Sequence, residues 1–188
     1  MVTKYVFNLV GYMKNKIVII LTLFIFSCHY DSHKDSIIKN ALLEVIDKHI
    51  VGLVKKDFVL FDEFSKNIND SILYKYLHGL YISNKDTFYF LDDSNLKYII
   101  NQNNSLKDKP VSNYYKNSKI KYSYSIRDSN KYSVLLSPPL FTIDEKYFVI
   151  NVLIFIKNNN SFSGYERFWI YKRDNNDWIL YSFIKIEH

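Results

Sequence analysis

Apolar residues recur four apart along the stretch from Ile37 to Val54. Ile37, Ala41, Val45, His49 and Leu53 form one row, Ile38, Leu42, Ile46, Ile50 and Val54 a second, and Lys39, Asn40, Glu44, Asp47 and Lys48 lie opposite. This spacing predicts an amphipathic helix, capped by Asp35 or Ser36 and closed by Lys55 and Lys56 at its negative end. Spacing by four drifts roughly 40° per repeat against an α-helix, so the helix is expected to curve around a sheet. A shorter pattern, Ile72, Leu73, Tyr76, Leu77 and Leu80, follows Asn69-Asp70-Ser71 and is expected to stop near Gly79. Phe58 to Phe64 fits a strand and a continued helix equally well. Thr87 to Leu91 reads as a strand, after which Asp92-Asp93-Ser94 opens a helix through Leu96, Ile99 and Ile100 with Asp93 or Ser94 as its cap. Residues 101–119, rich in Asn, Ser and Lys, read as a long exposed connection.

From Lys119 the period becomes two. Ile120, Tyr122, Tyr124 and Ile126 alternate with polar neighbours, and Asp128-Ser129-Asn130 turns the chain into a strand from Tyr132 to Leu136. Pro138 and Pro139 end it, because neither can donate to a ladder. Three longer strands follow, about Lys146 to Ile156, Ser163 to Lys172 and Trp178 to Glu187. The fold class is therefore α+β: an N-terminal amphipathic helix packed on a curved antiparallel meander, as one domain over residues 36–188.

The first residues carry a different message. Met13-Lys14-Asn15-Lys16 precedes a ten-residue apolar run, Ile17 to Phe26, then Ser27 and Cys28, the only cysteine. As a helix that run covers about 15 Å, half the roughly 30 Å of bilayer hydrocarbon, so it suits a cleaved signal rather than a span. The order of basic start, apolar run and small residue before a lone Cys resembles the signal peptide of bacterial lipoproteins. That resemblance implies removal of residues 1–27 (with Met13 as the expected true start), diacylation of Cys28 and a tether over residues 28–35. It places the domain in the bacterial cell envelope, on the periplasmic side or the cell surface, with the membrane as a partner through Cys28. Without residues 1–27, which hold three lysines and no acid, the net charge falls from +6 to +3. Lys outnumbers Arg 22 to 3, and bidentate phosphate and base contacts lean on Arg, which argues against a nucleic-acid partner.

Phe, Tyr, Ile, Asn and Lys supply half the chain, whereas Ala occurs once and Gly four times. This is the bias of AT-rich codons, so aromatic content alone does not mark a stacking platform. Ser137-Pro138-Pro139-Leu140-Phe141-Thr142-Ile143-Asp144 and, after a long apolar strand, Tyr171-Lys172-Arg173-Asp174-Asn175-Asn176-Asp177-Trp178 resemble the tail of small uncharacterised lipoproteins and secreted proteins of the Bacteroidota. The resemblance covers about 50 residues of turn and core type and implies a fold without an activity. By shape alone, a helix on a curved meander resembles cystatin-like and NTF2-like folds.

No Gly-x-Ser-x-Gly elbow, His-Glu-x-x-His or Gly-rich phosphate loop occurs, and no catalytic residue, metal ligand or cofactor is assigned. Of five histidines, His29, His33 and His188 lie in the tether or at the end; His49 reads as a core residue and His78 as solvated. A possible ligand face comes from the last hairpin. If residues whose numbers sum to about 350 pair, Trp169 faces Tyr181, Arg167 faces Phe183 and Tyr165 faces Lys185, all on one face, with Phe168, Ile170, Leu180 and Ile184 on the other. Rings alternating with cations suit a glycan or protein ligand. The sequence thus points to a lipid-anchored, non-enzymatic binding module, with a periplasmic immunity or inhibitor lipoprotein and a cystatin-like or NTF2-like cavity enzyme as alternatives. Replacing Cys28 by Ser is expected to abolish palmitate labelling and release the domain from the membrane fraction; labelling that persists in Cys28→Ser would overturn the lipoprotein assignment.

Overall fold

The computed structural model describes residues 33–54, 58–65, 70–106, 108–117, 119–123, 132–158 and 161–186. Cys28, the signal segment and the tether up to residue 32 lie outside them. The chain divides into two compact units, Met1–Ile37 and Ile38–His188. In the first, residues 33–37 are helical; all that follows concerns the second.

Helix α1 here denotes residues 38–54. Residues 38–43 are α-helical, Glu44–Ile50 wind as a π-helix, and Val51–Val54 return to α. The Val51 amide donates to the Ile46 carbonyl five residues back. Wider winding is what spacing by four requires: the drift expected to bend the helix is absorbed by a looser turn. Ile38, Ala41, Leu42, Val45, Ile46, Ile50 and Val54 are all buried, while Leu53 is exposed.

Two further helices, α2 (Asp70–Ser83) and α3 (Asp93–Leu106), differ from expectation in instructive ways. Gly79 does not stop α2, because one interior glycine costs only about 1 kcal/mol and Leu73 and Leu77 are fully buried. The stretch from Thr87 to Leu91 is not a strand but a turn and a 3-10 helix, Tyr89–Leu91. Asn84 overrides its β propensity, its side chain accepting from the Thr87 amide and its carbonyl from the Phe88 amide. The cap of α3 is Asp92, which accepts from the Asn95 amide at 2.8 Å. Residues 101–106 continue α3 rather than forming a loop. Gln102 and Asn103 are buried there beside Leu106, and Gln102 both donates to the Phe141 carbonyl and accepts from the Phe141 amide. Asn103 and Asn104 both donate to Asp70 on α2. Val111, Tyr114 and Tyr115, farther along the same stretch, are buried too.

Among the described residues seven strands form one open, mostly antiparallel sheet: β1 Phe58–Phe61, β2 Lys121–Ser123, β3 Tyr132–Leu136, β4 Leu140–Phe141, β5 Tyr147–Asn158, β6 Ser161–Asp174 and β7 Asp177–Ile186. The order is β2-β1-β3-β5-β6-β7, with β4 on β5. A simple meander is incomplete as a description, because β1 lies parallel to both β2 and β3. Asn175, at φ 56°, lets a two-residue turn join β6 to β7, a conformation Asn tolerates better than most residues. Tyr147, Val149, Phe168, Ile170 and Ile186 join Leu73, Leu77, Leu96 and Ile99 of α2 and α3 in one core. On the opposite face, Trp169 and Tyr171 meet His49 of α1 edge-on, at ring-centroid separations of 5.9 and 5.5 Å.

Gly164 on β6 has no room for a side chain: an added Cβ would lie 2.5 Å from the Ile154 carbonyl oxygen, whereas one at Gly79 would meet nothing within 4 Å. The two glycines should therefore respond with opposite signs in urea unfolding. Gly79→Ala is expected to stabilise by about 0.5 to 1 kcal/mol, and Gly164→Ala to destabilise by roughly 1 to 3 kcal/mol.

Candidate functional site

The six residues expected to share a ligand face are divided by the sheet. The pairs are Arg167 with Lys185 and Trp169 with Phe183, a register two residues from the expected one, and a bulge between Ile170 and Tyr171 then shifts the pairing to Tyr171 with Leu180. Residues directly opposed in a ladder share a face. Leu180 and Phe183 thus lie on the α1 face despite a spacing of three, and Tyr181 leaves it. Its ring instead lies against Phe90 and Tyr147, at 6.0 and 5.8 Å, and its hydroxyl donates to the Thr87 carbonyl at 3.1 Å. Trp169 is 3% exposed and covered by His49, so it is a core residue and not an accessible ring. What stays together is Tyr165, Arg167, Phe183 and Lys185, with the Arg167 guanidinium 4.9 Å from the Tyr165 ring centre and 5.1 Å from that of Phe183.

A second constellation was hidden from the sequence. Between the π-helical turn of α1 and the β6–β7 turn runs an open cleft of about 540 Å³, lined by Glu44, Lys48, His49, Asp174, Asp177 and Trp178 among others. An adjoining recess of about 340 Å³ shares Glu44, Lys48, Asp177 and Trp178 and reaches Asn40. Glu44 is only 8% exposed, and its Oε2 lies 2.7 Å from Lys48 Nζ while its Oε1 lies 3.7 Å from His49 Nε2. The first distance is a charge-assisted hydrogen bond and the second a longer electrostatic contact. The Glu44–Lys48 spacing is legible as a helical pair, but His49, five residues on, joins Glu44 through the π turn.

Within the cleft, Lys48 is engaged by Glu44. The hydrogen bond and charge of Glu44, followed by Asp177, hold the Lys48 ammonium above the ordinary lysine range. Tyr171 lies beneath, its hydroxyl buried with no hydrogen-bond partner. Burial, then the Glu44 charge, pushes its phenol well above the usual tyrosine value, so it is neutral throughout the physiological range. Tyr115, also raised by burial, donates to Asp47 at 2.7 Å and ties the outer side of α1 to the chain after α3. His78, expected in solvent, is half-buried and stacked on Tyr74 at 4.9 Å. Among the described residues no group of three His, Cys, Asp or Glu is placed to hold a metal, and no helix is long and apolar enough to cross a membrane.

No protein-family model, curated protein or solved structure matches this chain.

The unpartnered Tyr171 hydroxyl yields a test of the packing at the cleft floor. Tyr171→Phe is expected to be neutral or up to about 1 kcal/mol stabilising, while Tyr115→Phe, which strips Asp47 of a donor, should cost about 1 kcal/mol. Chemical unfolding of the two variants decides it, and a clear loss at Tyr171 would mean that its hydroxyl is satisfied in solution.

Proposed function

We propose that this is a lipid-anchored protein of the bacterial cell envelope that acts as a binding module, gripping a partner in the cleft between the π turn and the β6–β7 turn. The anchor rests on Cys28 and the basic-apolar order before it, of the kind seen in Bacteroidota lipoproteins. The observation that carries the binding role is the make-up of the cleft. Glu44, Asp174 and Asp177 face a single lysine, Lys48, so in a chain that keeps a net charge of +3 without residues 1–27 the cleft is a local acidic niche. Such a niche suits a basic segment of a protein partner, drawn in by charge complementarity.

Chemistry is less well supported than binding. Glu44 and His49 form an acid–base pair, the feature that favours the cavity-enzyme alternative and its cystatin-like or NTF2-like shape, with a helix across a sheet. Yet His49 is held by two ring edges and Glu44, and no described Ser, Thr or Cys contacts it. An inhibitor or immunity protein would present a protruding, charged loop; of the two candidates, residues 101–119 and 158–162, the first is helical over 101–106 and buried at Val111, Tyr114 and Tyr115, and the second lies partly outside the described residues.

The test is retention of a partner from envelope extract by the membrane-released Cys28→Ser protein. The charge-reversed Asp174→Lys/Asp177→Lys variant, at unchanged circular dichroism, should lose about tenfold or more in affinity. Equal retention by both proteins would remove the cleft as the binding surface, and a turnover abolished by His49→Gln would replace the binding reading with the enzymatic one.

A further inference from the structure

We propose that Arg167 and Lys185, with the rings of Tyr165 and Phe183, form a second site on the flank of β6 and β7, one that takes a carboxylate-bearing sugar. Arg167 and Lys185 are direct cross-strand partners. Two cationic side chains side by side on one sheet face concentrate positive charge there. The guanidinium is held between the Tyr165 and Phe183 rings, which fixes its position without neutralising its charge. Its Nε is buried with no hydrogen-bond partner, and no ion pair ties the Arg167 side chain to a described acid. Glu166, the adjacent acid, belongs to the other face, where Asn151 donates to it.

Position in the sheet explains why this patch stays open. Along one cross-strand row, Val152 on β5 is fully buried, Arg167 on β6 is half-buried and Lys185 on β7 is exposed. The cover supplied to β5 gives out toward the sheet edge, and Phe183 is left 55% exposed. A carboxylate matches a guanidinium by paired hydrogen bonds, and an exposed ring beside it offers an apolar surface to the C–H face of a sugar. A membrane surface is the poorer match, since recruitment by anionic headgroups takes clusters of roughly 4–8 cations. The site is independent of the acidic cleft: Asp174 is seven residues from Arg167 along β6, roughly 23 Å at strand rise.

The probe is digalacturonate, titrated calorimetrically into the full chain in a neutral detergent, beside its methyl ester, inorganic phosphate and anionic phospholipid vesicles. Digalacturonate should bind, with the neutral ester weaker by about tenfold or more. Arg167→Gln should weaken digalacturonate by about tenfold, and the exposed-site variants Lys185→Gln and Phe183→Ala by roughly three- to tenfold each, while Asp174→Lys leaves it unchanged. Should Arg167→Gln fail to fold, the two exposed positions carry the test. Absence of binding, equal binding of the ester, equal binding by the Lys185 and Phe183 variants, phosphate as tight as digalacturonate, or preference for the vesicles would each overturn the proposal. Loss of digalacturonate binding through Asp174→Lys would place the ligand in the cleft instead.

Discussion

The pairing of β5 with β6 is the constraint on which the other parts depend. It runs without a register shift from Tyr147 opposite Lys172 to Asn158 opposite Ser161. Because successive side chains alternate in direction, this one ladder assigns two faces at once. Phe148, Ile150, Val152 and Ile154 turn toward the α1 side, where Phe148 stacks on Tyr171 at 4.6 Å; Tyr147 and Val149 turn toward α2 and α3. A slip of one residue would exchange the two sets. The tight contact at Gly164 helps to pin the register, since no other residue fits there without displacing the Ile154 carbonyl. The remaining strands of the sheet continue from this pair: β3 and β4 share the far edge of β5, and β7 is laid down by the Asn175-Asn176 turn.

Where the sequence was legible, a single force dominated. The strands from Tyr132 onward combine alternation with Asn- and Pro-rich punctuation, and their positions agree with the structure to within a few residues. Reading failed where polar groups carry the packing. Gln102, Asn103 and Asn104 look like loop residues, yet each hydrogen-bonds a specific partner, so α3 continues through a polar stretch to the buried Leu106. Asn84 likewise turns a strand-like run into a 3-10 helix through two local hydrogen bonds. Parallel pairing of β1 with β3 was out of reach because it joins residues more than seventy positions apart.

The candidate sites show the same division. Arg167 and Phe183 are neighbours as expected from their shared face, since an error of two in register preserves parity. Tyr181 is lost from the group because a bulge adds one residue, and nothing in Leu180-Tyr181-Ser182 announces it. The joining of His49 to Glu44 depends on a π turn, which is a property of the helix as packed and has no residue signature of its own. The cleft therefore emerged only once α1 and the β6–β7 turn were placed side by side.

The bulge also governs what the β7 edge of the sheet can do. β7 is the last strand in the order, ten residues long, with Ile179 and Phe183 exposed. A regular strand of that kind is a template for a second copy, each adding its backbone to the next. Here the bulge reverses the facing of the two halves, so Ile179 and Phe183 project from opposite sides of the sheet. A neighbour aligned to match one half is out of phase with the other. One extra residue thus removes the single phase that strand-by-strand growth requires, while Phe183 on the flank around Arg167 stays open to solvent.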